Sequence, residues 1–469
     1  MIYKPHADQQ RATDFVIHNR YTALFLDMGL GKTVATLTAL QQLKEDYLEI
    51  DKTLVIAPKS VARNTWTGES HKWDHVKDVK VSVVMGTDTQ RRKALAVEAD
   101  VYVINRDNVT WLVNYCCNTL EEWPFDSVVV DESSSFKNPQ SRRFKSLRKM
   151  TPMIRRMVLL TGTPSPNGLM DLWAQINLLD QGKRLGRTLT MYRQEYFRPG
   201  RHNGHVVYEW IPRPGSRERI TEKISDICLS MQAEDYLEMP DLIQAGVTIA
   251  LSDEEMKGYL EFEKEQLMQV DEAEIEAVTA AALTNKLLQY TGGAVYDSDH
   301  DYHLVGSSKM EALHDLVEST EEPVLVFYQY QHEKERILAD FGNFSPETFN
   351  GEPEILNKWN KGEIRLLLCH PASVAYGLNM QEGGRTIIWY TPTWNLELYQ
   401  QANARLYRQG QEKPVLLYHI VATGTMDERV MGALSGKGDC QSALLRRIKE
   451  LKGTTKCTAK TPETPEDEM

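Results

Sequence analysis

Long apolar runs are missing from this chain of 469 residues: no stretch approaches the roughly 20 apolar residues that span a bilayer, and Met1 to Gln10 holds no export-signal core. The sequence therefore predicts a protein that stays in the cytoplasm and takes no membrane partner. Cysteine is scarce. The six cysteines (116, 117, 228, 369, 440 and 457) are scattered with no C-x-x-C pair, which excludes an encoded zinc ribbon or disulfide framework. Positive charge is in deficit, 54 Lys and Arg against 66 Asp and Glu, so the net charge of −12 argues against coating nucleic acid by bulk attraction. A local basic groove stays open. The hydrophobic and charged fractions, 41% and 26%, are those of ordinary globular protein, and the length suits two or three domains.

What the chain does have is a loop built for phosphate. Ala23 to Leu26 is a short apolar run of the kind a buried parallel strand needs, and it gives way to Gly29-Leu30-Gly31-Lys32-Thr33. The spacing predicts strand, tight loop, then a helix from Lys32 to about Leu43. Gly29 and Gly31 let backbone N–H groups turn toward phosphate oxygens, Lys32 supplies a point charge for the outer phosphates, and Thr33 offers a hydroxyl to Mg²⁺. The helix aims its positive end at the same anion. The regular pattern wants a further glycine at position 26, where this chain has Leu26. Ahead of the loop, Gln9 carries a carboxamide that both donates and accepts, which suits the edge of adenine.

Strand candidates follow at Thr53 to Ala57, Val81 to Val84, Val101 to Ile104, Ser127 to Val130 and Met157 to Leu160, alternating with helical patterns. That rhythm favours a parallel sheet covered on both faces. Ser127-Val-Val-Val runs straight into Asp131 and Glu132; Asp131 would hold Mg²⁺ and Glu132 would polarise the attacking water in hydrolysis of a terminal phosphate. The next strand runs into Thr161-Gly162-Thr163-Pro164, a tight turn whose hydroxyls suit sensing the phosphate.

Between about Asp180 and Ile220 the chain turns locally basic, with Tyr192, Tyr196, Phe197, Tyr208 and Trp210 interleaved. It reads equally as a phosphate-contacting surface or as a solvated insertion. An acidic helical stretch from Ser252 to about Leu288 follows, then a break at Gly292-Gly293 and a polar stretch to His303, expected to link two lobes. Strand and helix then alternate again, with strands at Pro323 to Tyr328, Ile364 to Cys369, Thr386 to Tyr390 and Val415 to Ile420. Asn395 to Tyr407 has helical periodicity, so Gln401, Arg405 and Arg408 are expected on one face, two arginines able to reach a γ-phosphate.

Taken in order, Asp27-Met-Gly-Leu-Gly-Lys-Thr33, Leu54-Val-Ile-Ala-Pro-Lys59 with Trp66 and Trp73, Val-Val-Val-Asp131-Glu132 and Leu-Thr161-Gly-Thr-Pro164 resemble the motifs of helicase-related ATPases of superfamily two, in the Swi/Snf-type branch. His370 to Gln381 and Gln401 to Gln411 resemble that branch's fifth and sixth motifs. The resemblance implies an enzyme hydrolysing ATP with Mg²⁺, built as two RecA-like P-loop lobes, each a largely parallel sheet with helices on both faces. It implies an ATP-binding lobe over 1–180, a basic insertion with helical bracing and linker over 181–300, a second lobe over 301–453 and a disordered tail over 454–469. Catalytic roles are implied for Lys32, Asp131, Glu132, Arg405 and Arg408, nucleotide contacts for Gln9, Gly29, Gly31, Lys32, Thr33, Gly377 and Gln401, and coupling for Thr161, Gly162 and Thr163. Nucleic-acid contacts are implied for Lys59, Arg63, Asn379 and Trp394.

By the same resemblance the output is a monomeric motor translocating on double-stranded DNA, remodelling or displacing bound protein, in a compact form like those of bacteria and their viruses. A strand-separating helicase on DNA or RNA, and an ATP-gated subunit dependent on an accessory protein, use the same motifs and stay open. The chain departs from the family pattern at Ser133-Ser134, where many relatives carry Ala-His, and at Thr391, where an acid is usual.

Overall fold

A computed structural model describes residues 1–27, 29–165, 168–200, 202–203, 206–207, 210–231, 240–268, 277–374, 378–408 and 410–435. Two compact units emerge, Met1–Met239 and Pro240–Met469. In the first, seven strands form one sheet: β1 (Tyr21–Leu26), β2 (Thr53–Ala57), β3 (Val81–Val84), β4 (Val101–Asn105), β5 (Ser127–Asp131), β6 (Arg156–Thr161) and β7 (Cys228–Met231). They lie in the order β7-β1-β6-β5-β2-β4-β3, and every pairing is parallel. Strands β2, β4, β5 and β6 are buried along their whole length. A parallel strand covered on both faces has no solvent side to mark with polar residues, which is why these segments read as continuous apolar runs. At the edge, β3 alternates instead.

Helix α1 (Ala7–His18) leads into β1, α2 (Lys32–Glu45) joins β1 to β2, and α3 (Lys59–Lys72) joins β2 to β3. The interior of α2 is apolar nearly all round, with Val34, Leu37, Leu40 and Leu43 buried, so burial and not amphipathicity holds it.

The second unit repeats the plan with β8 (Leu242–Ile249), β9 (Val324–Phe327), β10 (Glu347–Thr348), β11 (Leu366–Cys369), β12 (Thr386–Trp389) and β13 (Val415–Ala422). Their order is β8-β13-β12-β9-β11-β10, again all parallel. Each unit is the helix-flanked parallel sheet of a RecA-like lobe. No helix among the described residues is long and apolar enough to cross a membrane.

The segment expected to link the lobes does something else. Ala294–Tyr296 pairs antiparallel with Tyr302–Leu304, making a hairpin within the second unit, while the division between units falls at 239/240. What fixes the hairpin is His332, fully buried and ringed by Tyr296, Tyr302 and Tyr330 at centroid distances of 5.2, 5.7 and 5.6 Å. The expected tail at 454–469 lies outside the described residues.

His332 makes the fold acid-sensitive. Among the described residues neither of its ring nitrogens has a hydrogen-bond partner, and burial, helped by the Arg336 cation, presses its pKa down to about 4. The unfolded chain takes up a proton near pH 6.5 that the folded chain refuses until about pH 4. Stability is therefore complete above pH 6.5 and declines as the pH falls toward 4, by about 2 kcal/mol between pH 7.5 and 5. Urea titrations at those two pH values should show a smaller decline for His332→Phe, which keeps an aromatic ring inside the tyrosine cage. A decline equal to wild type would assign the acid sensitivity elsewhere, His419 being the other histidine that burial presses to about 4.

Candidate functional site

Strand order brings three sequence motifs together. β1, β6 and β5 are consecutive neighbours, so the loops leaving their carboxyl ends open side by side. In the first loop Gly29 has φ +91° and Gly31 φ +70°, both left-handed, where a side chain would be strained. Gln9 packs directly on Gly31: a Cβ there would lie 2.5 Å from Gln9 Nε2, so any side chain would displace that carboxamide. Standing at the N-cap of α2 with no side chain to offer, Gly31 leaves the first N–H groups of that helix to an outside acceptor. Lys32 Nζ donates to the carbonyls of Leu26 (2.7 Å) and Asp27 (3.2 Å). Thr33, half-buried, follows in the first turn of the helix. The missing glycine at 26 has a simple reason: Leu26 is the last residue of β1, buried and paired with Met231, so strand geometry and not a turn is needed there.

Gln9 is brought to this loop by α1. Its Oε1 accepts from the Tyr3 hydroxyl and the His6 N–H, each at 3.2 Å, which turns Nε2 toward Gly31. From the neighbouring strand, Gly162 closes the other side: a Cβ on it would sit 3.4 Å from the Leu26 carbonyl and 3.8 Å from Lys32 Nζ. Thr161 ends β6 fully buried, and its hydroxyl accepts from the Thr163 N–H at 3.1 Å.

Asp131 ends β5 and is buried. Its Oδ2 accepts from Trp66 Nε1 at 3.0 Å and its Oδ1 from the Glu132 N–H at 3.1 Å. Burial pushes the carboxyl pKa up, against which the Trp66 N–H, the Lys32 charge and the Glu132 N–H favour the ionised form. Glu132 takes φ +54°, ψ +60°, a left-handed conformation that costs a non-glycine residue on the order of 1 kcal/mol or more and aims its side chain off the strand path.

Behind the acidic pair, Ser133 donates to Gln175 Oε1 at 2.8 Å, and Gln175 Nε2 donates to the carbonyls of Pro164 (2.6 Å) and Asp171 (3.1 Å). The acidic loop and the Thr161–Pro164 turn are thus tied through one fully buried amide. Sequence reading missed Gln175. The signal was there: a polar residue inside the apolar run Leu172–Asp180 must find partners.

In the second unit, the helix expected over 395–407 is shorter, Leu396–Asn403, and Arg405 and Arg408 sit on the turns after it. The stop is tertiary. Asn403 Oδ1 accepts from the buried Trp389 Nε1 at 2.9 Å, and Leu406 drops fully into the core, while tight bonds from Arg405 N to the Ala402 carbonyl and Leu406 N to the Asn403 carbonyl draw in the chain. The arginines still converge: both donate to the Leu378 carbonyl, at 3.0 and 3.3 Å, and Arg408 also donates to Asn379 Oδ1 at 2.6 Å. Arg405 Nε returns to the Gln401 carbonyl at 2.9 Å, and the Gln401 side chain is itself buried. Gly377 lies outside the described residues.

Lys59 and Arg63 are exposed on α3 in the first unit. In the second, Trp394 is 46% exposed, its Nε1 donating to Asn285 Oδ1 at 3.3 Å. Thr391, where an acid was expected, donates to Glu333 at 2.7 Å and accepts from Lys309 at 3.4 Å, while Lys309 pairs with Asp427 at 2.6 Å.

Half of the described cations of the basic stretch are engaged within its own fold. Arg184 pairs with Asp226 and Asp180, Arg193 lies 5.1 Å over Trp210, Arg213 donates to the Phe197 carbonyl and Arg219 lies 5.3 Å over Tyr196. Lys183, Arg187, Arg198 and Arg217 remain exposed and able to meet phosphate.

The SNF2-related domain family matches residues 9–292, and the helicase conserved C-terminal domain family matches 308–410. Protein p41 of Acyrthosiphon pisum secondary endosymbiont phage 1 is 36% identical over 460 residues, covering 95% of this chain and 99% of its own. The DNA repair and recombination protein RAD54-like of Gallus gallus is 23% identical over 86% of this chain, which spans only 61% of that relative. Among solved structures, the Sulfolobus solfataricus SWI2/SNF2 ATPase core in complex with dsDNA is 21% identical, covering 96% of this chain and 97% of that one, with a TM-score of 0.44.

Proposed function

Because this chain belongs to the SNF2-related family of helicase-like ATPases, we propose that it hydrolyses ATP to translocate along double-stranded DNA, remodelling or displacing bound protein in the cytoplasm of a bacterial or virus-infected cell. The observation that carries the reading is the common opening of three loops at the ends of β1, β6 and β5, with Lys32, Gly162 and Asp131 gathered there. The residues fit ATP with Mg²⁺. Two left-handed glycines, an uncapped helix start, a lysine parked on main-chain carbonyls and a buried carboxylate within electrostatic reach of that lysine together make a socket for a polyphosphate and its cation.

Thr33 and Asp131 would hold Mg²⁺, which when bound neutralises the outer phosphates. Lys32 exchanges two carbonyl acceptors for charged phosphate oxygens, the stronger partners. Glu132 orients and polarises the attacking water. Gln9 and Gln401, with backbone at Gly29, Gly31 and Gly377, seat the nucleotide. Arg405 and Arg408 spread charge from the transferring phosphoryl group, and their withdrawal couples turnover to movement. Thr161, Gly162 and Thr163 register the phosphate, while Lys59, Arg63, Asn379 and Trp394 meet the nucleic acid. The RAD54-like relative is named for DNA repair and recombination, which puts DNA ahead of RNA as the track.

Steady-state ATP hydrolysis by the purified chain, at fixed low salt, is to be compared without nucleic acid and with duplex DNA, single-stranded DNA and RNA. Strong stimulation by duplex DNA alone is expected. Stimulation confined to single strands or RNA would replace the duplex translocase with a strand-separating helicase, and none by any of them would replace it with a partner-dependent subunit.

A further inference from the structure

We propose that Trp66 is a positioning residue: its indole N–H aims the Asp131 carboxylate at the metal, and through it the exposed start of α3 is tied to the rate of hydrolysis. The proposal rests on the nucleotide site assigned above and names a residue that site has not used. Among the described residues Trp66 is the only side chain to hydrogen-bond Asp131, at 3.0 Å, and both groups are buried. The remaining bond to the carboxylate comes from the adjacent backbone, the Glu132 N–H. Between them the two donors occupy one lone pair on each oxygen and fix the plane of the group, leaving its other lone pairs for an incoming cation.

The fold explains how a residue 65 positions away does this. β2 and β5 are parallel neighbours, with Ile56 opposite Val130, so the chain leaves β2 beside the end of β5 and starts α3 there. Helical side chains lean toward the helix N-terminus, and a large indole in the second turn of α3 therefore reaches back to the strand ends. Lys59, Arg63 and Trp66 stand at i, i+4 and i+7, one stripe of the helix. Two members of the stripe are exposed cations and the third is fully buried against the carboxylate. A phosphate backbone held by Lys59 and Arg63 then bears on the same rigid element that orients Asp131.

A buried tryptophan needs an acceptor for its N–H whatever its role, so packing and hydrogen bonding must be separated. Trp66→Phe removes the donor, and 3-benzothienylalanine at position 66, with sulfur in place of N–H, removes it while keeping the bicyclic shape. The measurement is Mn²⁺ affinity in the presence of ADP, by electron paramagnetic resonance, beside binding of a fluorescent ATP analogue without divalent metal. Mn²⁺ affinity should fall about tenfold or more in both variants, the range for losing an outer-shell partner, with metal-free nucleotide binding within twofold of wild type. Stimulation of turnover by duplex DNA should fall with it. Wild-type Mn²⁺ affinity in the benzothienyl variant overturns the proposal while the site assignment stands; weakened metal binding with full stimulation overturns its link to α3. A wild-type chain with no ADP-dependent Mn²⁺ binding removes the assigned site itself, and this proposal with it.

Discussion

Lys32→Ala is expected to lower ATP turnover by at least roughly 10²–10³-fold, the loss that follows removal of one preorganised donor from developing negative charge. Lys32 Nζ donates to the main-chain carbonyls of Leu26 and Asp27 and its charge acts on the buried Asp131 carboxylate, so the substitution removes the cation from the pocket itself. Alanine is a good helix former at the start of α2, so the fold should hold. Turnover measured beside a thermal melt checks both halves. A variant that melts like wild type and turns over like wild type would remove the assigned pocket.

Arg408→Ala should lower kcat by roughly 10³-fold while ATP affinity changes by only a few-fold, because an arginine acting on the transferring phosphoryl group works in the transition state. Arg408 is the better of the two arginines to test. Arg405 is only 5% exposed and its Nε donates to the carbonyl of the buried Gln401, a bond Arg408 does not share, so its removal costs a buried hydrogen bond and confuses folding with catalysis. Arg408 is less buried, and it shares the Leu378 carbonyl with Arg405, which can keep that acceptor satisfied. Single-turnover hydrolysis and equilibrium nucleotide binding separate the two effects. Undiminished single-turnover hydrolysis by this variant would mean that the second lobe supplies no charge to the reaction through this residue.

The sequence announced the three nucleotide loops because each follows a strand buried on both faces, and such strands leave an uninterrupted apolar signature just before the polar residues. β5 and β6 are of that kind. The strands that escaped notice sit at sheet edges. Cys228–Met231 alternates over four residues, and Leu242–Ile249 is half-exposed with Gly246 inside it, so neither carries the run that identifies a central strand. Pairings across the chain were also out of reach. Trp66 meets Asp131 over a separation of 65 residues and Ser133 meets Gln175 over 42, contacts that no local period encodes. The early end of the helix at Asn403 has the same origin, since the bond from Trp389 wins over a helical periodicity that continues to Tyr407.

The position of β7 bears on how the protein is made. β1, which carries the phosphate loop, lies between β6 and β7, partners that come more than 130 and 200 residues later in the chain. A segment that leaves the ribosome some 200 residues ahead of Cys228–Met231 must wait for it before both its flanks are paired, and until then it is an apolar strand with an open edge. Contacts this distant in sequence are slow to form, so nascent chains stopped short of residue 228 should be held by chaperones or lost to aggregation, and the sheet around the nucleotide loop closes only once that strand has followed.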